Sequence, residues 1–279
     1  MDAPGPAGFS GTALTLLRTF LFQIAFYAVT IVFGIVLLPF LVLPRRILWK
    51  GIRTWLSACL LVLRTVGGVR AEITGRQNIP KGPLLVAAKH QSAWETLALL
   101  LLFDDPTFIL KRELTWIPIF GWYLWRAGMI PVDRGAGAVA LKAMAERAAA
   151  EAAKGRQILI FPEGTRRPAG APPQYKFGVA HLYASLGAPC VPVGLNSGIF
   201  WPRRKPLRQG TIRAEILPPI PAKLPRGVFA ARVEREIESS SNRLMALGWA
   251  ELGETPPPPQ QQTGKVTKLS PQSRTVEKS

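Results

Sequence analysis

The chain has 279 residues, which is enough for one large domain and additional segments. Its 35 lysine and arginine residues against 17 acidic residues give a formal charge of +18, which predicts an anionic partner: nucleic acid, a phospholipid surface or a phosphorylated substrate. Cys59 and Cys190 lie in no Cys/His cluster. This excludes a disulfide framework and a zinc site of the usual spacing, and predicts reduced thiols in a catalytic part that faces the cytoplasm.

The first element is an apolar segment, residues 19–43, that contains no charged residue. It is long enough to cross a bilayer, for which about 20 apolar residues suffice, and it lacks the short apolar core and cleavage site of a signal peptide. Arg45 and Arg46 begin a basic cluster directly after it, so the positive-inside rule predicts a cytoplasmic location for the rest of the chain. Gly34 and Pro39 leave open a shallow, re-entrant insertion instead of a full span.

The next segment, residues 47–68, mixes Trp49 and Trp55 with Lys50 and Arg53. Its apolar core is too short to span a membrane. The pattern predicts an amphipathic helix at the membrane interface, with aromatic rings at headgroup depth and cations toward phosphates. The alternative is a helix of the protein core with a basic outer face. We expect residues 1–66 to form membrane-anchoring helices.

From residue 67 to residue 250 short apolar runs alternate with helical patterns, which predicts a catalytic domain of the α/β class with a largely parallel or mixed sheet flanked by helices. Strands are predicted at residues 69–75, 82–88, 106–111, 128–133, 157–162, 188–195 and 211–217, and helices at 92–103, 138–155, 177–187 and 227–247. Residues 251–279 are rich in proline and glutamine and predict a disordered tail.

Polar residues follow the second strand, where ligands gather in open α/β sheets. His90 and Glu95 are candidates for a general base and the carboxylate that orients it. Two helical residues with this spacing point in different directions, so the pair meets only if His90 lies in a loop and Glu95 in the first helical turn. The alternative is a capping box, Ser92-x-x-Glu95, with His90 as an exposed loop residue. The two roles are compatible because a carboxylate has several acceptor sites.

The fifth strand runs into Glu163, Gly164, Thr165 and Arg166. A flexible turn, a hydroxyl and a guanidinium in this order suit a phosphate group. The alternative is a surface turn in which Glu163 pairs with Arg166.

A third polar strand end carries Lys111 and Arg112, and an aromatic segment from Trp116 to Trp125 follows. The cations are candidates for holding phosphate, and the aromatic side chains for lining an acyl-chain groove or resting on the membrane. Ordinary packing of the aromatic rings and a solvated basic face are the alternatives.

Four blocks in this order resemble the glycerolipid acyltransferase family, in particular the bacterial 1-acyl-sn-glycerol-3-phosphate acyltransferases. They are His90 with Glu95, residues 110–122, the run Phe-Pro-Glu-Gly-Thr-Arg at 161–166, and the Val-Pro-Val strand at 191–193. The resemblance covers roughly residues 70–215 and implies a glycerol-3-phosphate acyltransferase-like fold. The usual family acid is Asp, whereas this chain has Glu95, one methylene longer. We expect Glu95→Asp to remain active.

The resemblance implies that His90 takes the proton from the sn-2 hydroxyl of lysophosphatidic acid, which then attacks acyl-CoA or an acyl carrier protein thioester, while Glu95 holds the imidazolium. Substrate binding is expected from Lys111, Arg112, Glu163, Gly164, Thr165 and Arg166. No metal or cofactor is expected. The expected partners are the membrane phospholipid surface, a lysophospholipid and an acyl carrier protein, but no nucleic acid; the expected location is the bacterial inner membrane. The alternatives are another acceptor, such as a lyso-ornithine lipid, and a non-enzymatic, membrane-tethered protein that binds anionic ligands.

Overall fold

The computed structural model describes residues 8–133, 135 and 137–257. A strand lies at each predicted position: β1 Val69–Thr74, β2 Leu84–Ala88, β3 Pro106–Lys111, β4 Ile130–Val132, β5 Gln157–Ile160, β6 Cys190–Leu195 and β7 Gly210–Ile216. The helices are α1 Gly8–Val36, α2 Arg45–Thr65, α3 Trp94–Leu102, α4 Phe120–Arg126, α5 Gly137–Ala152, α6 Gly178–Leu186, α7 Ser197–Phe200 and α8 Arg226–Glu251, with short 3₁₀ helices at Leu38–Val42, Arg76–Asn78 and Arg112–Trp116. Most of the predicted disordered tail, residues 258–279, lies outside the described residues.

The strands form one sheet in the order β1-β7-β6-β2-β5-β3-β4. Strands β6 and β7 pair antiparallel, whereas the other neighbours pair parallel. The largely parallel, mixed α/β sheet predicted from the sequence is therefore confirmed. Because β6, β2, β5 and β3 are consecutive and run in the same direction, their carboxyl ends meet at one edge of the sheet, and the loops after them form the site.

Helices cover both faces of the sheet, as a largely parallel sheet requires. Strand β2 shows the alternation: Leu84 and Val86 pack in one cluster with α2 and α3, whereas Leu85 and Ala87 pack in another with α5, α6 and α8. All five residues of β2 are buried. The loop after this strand therefore begins from a rigid, fully buried support.

Helix α1 contacts the rest of the protein along one stripe that includes the buried Phe22, while most of its other apolar side chains are exposed. A helix that is apolar all round requires a partner other than water. Its residues Thr12–Val36 are long and apolar enough to cross a membrane. The helix ends at Val36, and Pro39 lies in the 3₁₀ helix that follows. The apolar segment is therefore broken near residue 37 rather than continuous to residue 43.

Helix α2 corrects the prediction of an interfacial helix. Leu48 and Leu56 are fully buried in the cluster on the sheet, and Trp49 is buried beside them. The guanidinium of Arg53 donates to the backbone oxygens of Leu101 and Phe103 instead of facing lipid phosphates. The apolar face of α2 thus packs on the protein, the alternative weighed for this segment. Residues on both sides of the domain boundary predicted at residue 66 share one hydrophobic core, because α2 packs on the sheet.

Candidate active site

His90 lies in the loop between β2 and α3, and Glu95 lies in the first turn of α3. The His90 Nδ1 atom is 2.9 Å from Glu95 Oε1, so the predicted contact is present in the only arrangement that the spacing permits. An ionised carboxylate accepts hydrogen bonds and donates none, so Nδ1 carries the hydrogen. In the neutral imidazole with this tautomer, Nε2 carries no hydrogen and is the atom that can accept a proton.

The carboxylate of Glu95 is buried and also organises the loop itself. Its Oε1 atom accepts from the backbone amides of Gln91 and Ser92, both at 2.6 Å. The Ser92 Oγ atom in turn accepts from the amide of Trp94 at 3.1 Å. Helix capping and orientation of the histidine therefore coexist in one side chain.

Ser197 holds the second oxygen of Glu95 and was not predicted as a site residue. It is fully buried at the start of α7, and its Oγ atom donates to Glu95 Oε2 at 2.7 Å. The next amide, that of Gly198, donates to Gln91 Oε1 at 3.0 Å. The sequence carries a signal for this contact, because the polar residues Asn196 and Ser197 follow the buried strand β6 directly.

The loop after β5 braces His90 from another side. The ring of Phe161 stacks on the imidazole with a centroid distance of 3.9 Å and an interplanar angle of 9°, and Phe108 stacks next to Phe161. The backbone amide of Arg167 donates to the His90 oxygen at 2.8 Å. These contacts fix the plane of the imidazole ring and the backbone that carries it.

Glu163 lies beneath the site, and substrate binding by this residue stays a prediction. Its side chain is completely buried, where it accepts from Lys89 Nζ at 3.0 Å and from the His90 amide at 3.4 Å. Burial raises the pKa of Glu163, although the charge of Lys89 opposes the shift. Lys89 also donates to Glu238 at 2.7 Å, and Glu238 accepts from the Tyr175 hydroxyl at 2.9 Å. This network ties α8 to the histidine loop.

The rest of the turn presents Arg166 to the site. Gly164 has a φ of +68°, a left-handed conformation that glycine adopts without steric cost. Thr165 is exposed. Arg166 is partly buried, lines the same groove as His90, and makes no hydrogen bond or ion pair with a residue that the structure describes. Burial lowers the pKa of its guanidinium, whereas the charge of Glu95 raises it. Arg166 is the member of the turn best placed to bind an anion.

His90 and Arg166 face a groove of about 630 Å³. Its walls are formed by α1, α2, α3, β3 and the segment 118–124, and their lining side chains are almost all apolar. Its basic lining residues are His90, Lys111 and Arg166. A groove of this composition suits an alkyl chain with a polar or anionic end.

The two cations predicted at the end of β3 have different environments. Lys111 lines the groove and pairs with Glu113 at 2.8 Å. Arg112 instead pairs with Asp133 at 2.9 Å and stacks over Trp116, and it does not line the groove. Asp133 and Trp116 thus hold the Arg112 side chain outside the groove, and substrate binding by Arg112 stays a prediction.

The site contains a histidine hydrogen-bonded to a carboxylate, at the strand ends of a mixed sheet and beside an apolar groove, and this arrangement suits a class of enzyme: acyltransferases that act on lipid-like substrates. The sequence model of the Acyltransferase family matches residues 70–196. The chain is 35% identical over 235 residues to the 1-acyl-sn-glycerol-3-phosphate acyltransferase of Pseudomonas aeruginosa. The aligned region covers 82% of this chain and 91% of that protein. The chain belongs to the family of 1-acyl-sn-glycerol-3-phosphate acyltransferases.

Two more distant proteins are also similar to the chain. The human 1-acyl-sn-glycerol-3-phosphate acyltransferase alpha is 30% identical over 172 residues, which are 60% of this chain and 61% of that protein. The crystal structure of the 1-acyl-sn-glycerophosphate (LPA) acyltransferase PlsC from Thermotoga maritima superposes with a TM-score of 0.70 at 24% identity, covering 83% of this chain and 98% of that one. At this identity the likeness shows a common fold.

Proposed function

We propose that this protein transfers an acyl chain from a thioester donor to the sn-2 hydroxyl of 1-acyl-sn-glycerol 3-phosphate, giving phosphatidic acid. The observation that carries the proposal is the His90–Glu95 pair, 2.9 Å apart, at an apolar groove that also contains the guanidinium of Arg166, which has no hydrogen-bond or ion-pair partner among the described residues. The names of the relatives from Pseudomonas aeruginosa and human support this acceptor.

In the proposed reaction His90 Nε2 takes the proton of the acceptor hydroxyl, and the hydroxyl oxygen attacks the thioester carbonyl carbon. The C–O bond forms, and collapse of the tetrahedral intermediate breaks the C–S bond. The imidazolium returns its proton to the leaving thiolate, so protons and electrons balance without a covalent enzyme intermediate. The carboxylate of Glu95 stabilises the imidazolium between these steps. General base catalysis of this kind contributes about 10² to 10⁴ in rate.

The charged and apolar parts of the groove match the two parts of the acceptor. Arg166 is free to form two parallel hydrogen bonds to phosphate oxygens, which is the geometry a guanidinium favours. The apolar walls accommodate an acyl chain. Lys111 supplies a second positive charge in the same groove, although Glu113 shares it. We therefore assign phosphate binding chiefly to Arg166.

The donor is either acyl-CoA or an acylated carrier protein. Both are anionic, and the formal charge of +18 favours both. We place the catalytic domain on the cytoplasmic side of the bacterial inner membrane, where both donors occur. The exposed apolar face of α1 and the basic residues that follow it, Arg45 and Arg46, support this placement.

The test is product analysis with purified, detergent-solubilised protein. Radiolabelled acyl-CoA and acyl carrier protein are each offered with 1-acyl-sn-glycerol 3-phosphate and, separately, with lyso-ornithine lipid. We expect labelled phosphatidic acid, from which phospholipase A2 releases the label because it lies at the sn-2 position. Transfer to lyso-ornithine lipid alone, or no transfer from either donor, contradicts the proposal; the second result favours a binding protein without chemistry.

A further inference from the structure

The segment that follows β3 exposes several large apolar side chains that the reaction does not use. Trp116 is 64% exposed, Trp122 is 55% exposed and Trp125 is 80% exposed, and Ile117 is exposed beside them. We refer to these four residues as the tryptophan surface. A single exposed apolar residue requires no explanation, but three exposed tryptophans within ten residues indicate a surface that contacts something other than water.

Helix α4, which carries Trp122 and Trp125, is hydrogen-bonded to the end of α1 and to the segment that follows it. The Tyr123 hydroxyl of α4 donates to the Gly34 oxygen at 2.9 Å. Arg126 donates from Nε to the Leu41 oxygen at 2.9 Å and from Nη2 to the Leu43 oxygen at 2.6 Å. Leu41, Trp122 and Trp125 also line a common second groove of about 500 Å³. The exposed face of α4 is thus continuous with the segment that begins at α1.

Helix α1 itself identifies the kind of partner. Residues such as Ile24, Ile31 and Ile35 leave its outer face apolar and exposed, and this face is long enough for a bilayer. Tryptophan has an apolar ring with one N–H donor and is enriched where membrane hydrocarbon meets water. If α1 lies in a bilayer, the tryptophan side chains near the end of α1 lie at the boundary between hydrocarbon and water, which is the position that tryptophan favours. An acidic carrier protein would match cations rather than an aromatic surface.

We propose that the tryptophan surface rests in the headgroup region of the same phospholipid bilayer that receives α1, as a second membrane contact of the catalytic domain. This deepens the proposed function, because it rests on a membrane-borne lipid substrate. The active-site groove lies between the two contacts: residues 30–35 of α1, with Leu37 just after it, form one wall, and residues 118–124, which lead into and include much of α4, form another. A lipid chain that enters between them passes from bilayer to groove without crossing water.

The test measures the environment of single positions in the full chain. Cys59 and Cys190 are both buried, so an introduced surface cysteine reacts selectively with a thiol-specific, polarity-sensitive fluorophore. Trp125→Cys reports on the tryptophan surface, and Ile24→Cys reports on α1, since Ile24 is exposed and does not line the active-site groove. Val228→Cys is the matched control, because Val228 is exposed at the start of α8, where Phe229 and Val233 pack on the opposite face of the sheet from α2 and α3.

Each labelled variant is reconstituted in vesicles of phosphatidylcholine and phosphatidylglycerol, with or without brominated acyl chains. We expect blue-shifted emission and strong bromine quenching at positions 24 and 125, and neither at position 228. Quenching at position 24 with a response at position 125 no greater than that at position 228 overturns the proposal. The readout does not depend on turnover, so a failure of the transferase assay is distinguishable from a failure of membrane contact.

Discussion

Shortening Glu95 by one methylene tests how strictly the site depends on the length of this side chain. In the described structure the carboxylate accepts from His90 Nδ1, the Gln91 and Ser92 amides and Ser197 Oγ at distances between 2.6 and 2.9 Å. Glu95→Asp withdraws the carboxylate by roughly 1.5 Å. Bonds made from opposite sides of a carboxylate do not all survive such a shift, since hydrogen bonds end near about 3.2 Å.

The magnitude follows from the bond to the imidazolium. A hydrogen bond to a charged group contributes about 1.5–3 kcal/mol. Loss of that bond in the transition state lowers kcat by roughly 10- to 150-fold, because each 1.4 kcal/mol is about a factor of ten. KM for the acceptor is expected to change little, because Glu95 lies behind His90 and does not line the groove. Glu95→Asp is therefore still expected to be active, as the sequence indicates, but at a clearly lower kcat.

Initial rates at saturating donor and acceptor measure the effect, with thermal unfolding recorded in parallel to separate catalysis from stability. Glu146→Asp is the matched control, because Glu146 is exposed on α5 and remote from the groove. We expect native kcat in the control. A kcat for Glu95→Asp within about threefold of native, a difference below 1 kcal/mol, refutes the argument that four donors fix this carboxylate.

Three further predictions follow from the same contacts. Arg166→Ala raises KM for the acceptor by about tenfold or more, through loss of charge-assisted bonds to phosphate, with a smaller effect on kcat. Ser197→Ala lowers kcat by about tenfold at unchanged KM, because it frees one oxygen of the orienting carboxylate. Asp105→Asn lowers Tm at pH 7, and the difference from native shrinks as the pH falls, since burial raises the pKa of Asp105 but Arg45 and Arg156 outweigh it and hold the pKa below 3.8.

Each of these predictions has an opposing result. An Arg166→Ala enzyme with native KM places the phosphate elsewhere. Ser197→Ala with unchanged kcat shows that the two backbone amides suffice to hold the carboxylate. For Asp105 the sign is fixed: a carboxyl whose folded pKa is lowered stabilises the fold above its ordinary pKa, and this contribution is lost as the pH falls through the lowered value. A difference in Tm that stays constant from pH 7 to below pH 3.8 contradicts the account.

Local patterns predicted the elements well. Short apolar runs bounded by glycine, proline or charged residues gave the strands, and the placement of His90 in a loop before Glu95 followed from helix geometry. Strand order did not follow, because nothing near β7 in the sequence indicates that it pairs antiparallel with β6. The membrane interpretation of α2 failed for a related reason. A helix with an apolar and a basic face suits a membrane or a protein core equally, and only tertiary packing decides.

The roles of individual charges depended on partners distant in the sequence. Glu163 is buried in an ion pair with Lys89, which precedes it by 74 residues, and Lys89 also donates to Glu238 of the last helix. Arg112 is drawn to Asp133. A strand end predicts that polar residues gather at a site, but it does not predict which of them face the substrate and which support those that do.

The role of His90 as the general base is tested by single-turnover acyl transfer with His90→Ala, measured beside His181→Ala. The chain contains two histidines, and His181 lies on α6 and does not line the groove, so it is the matched control. We expect near-native transfer by His181→Ala. For His90→Ala we expect the single-turnover rate to fall by a factor of about 10² or more, which is the contribution of a general base. Near-native transfer by His90→Ala would show that this histidine is not the base.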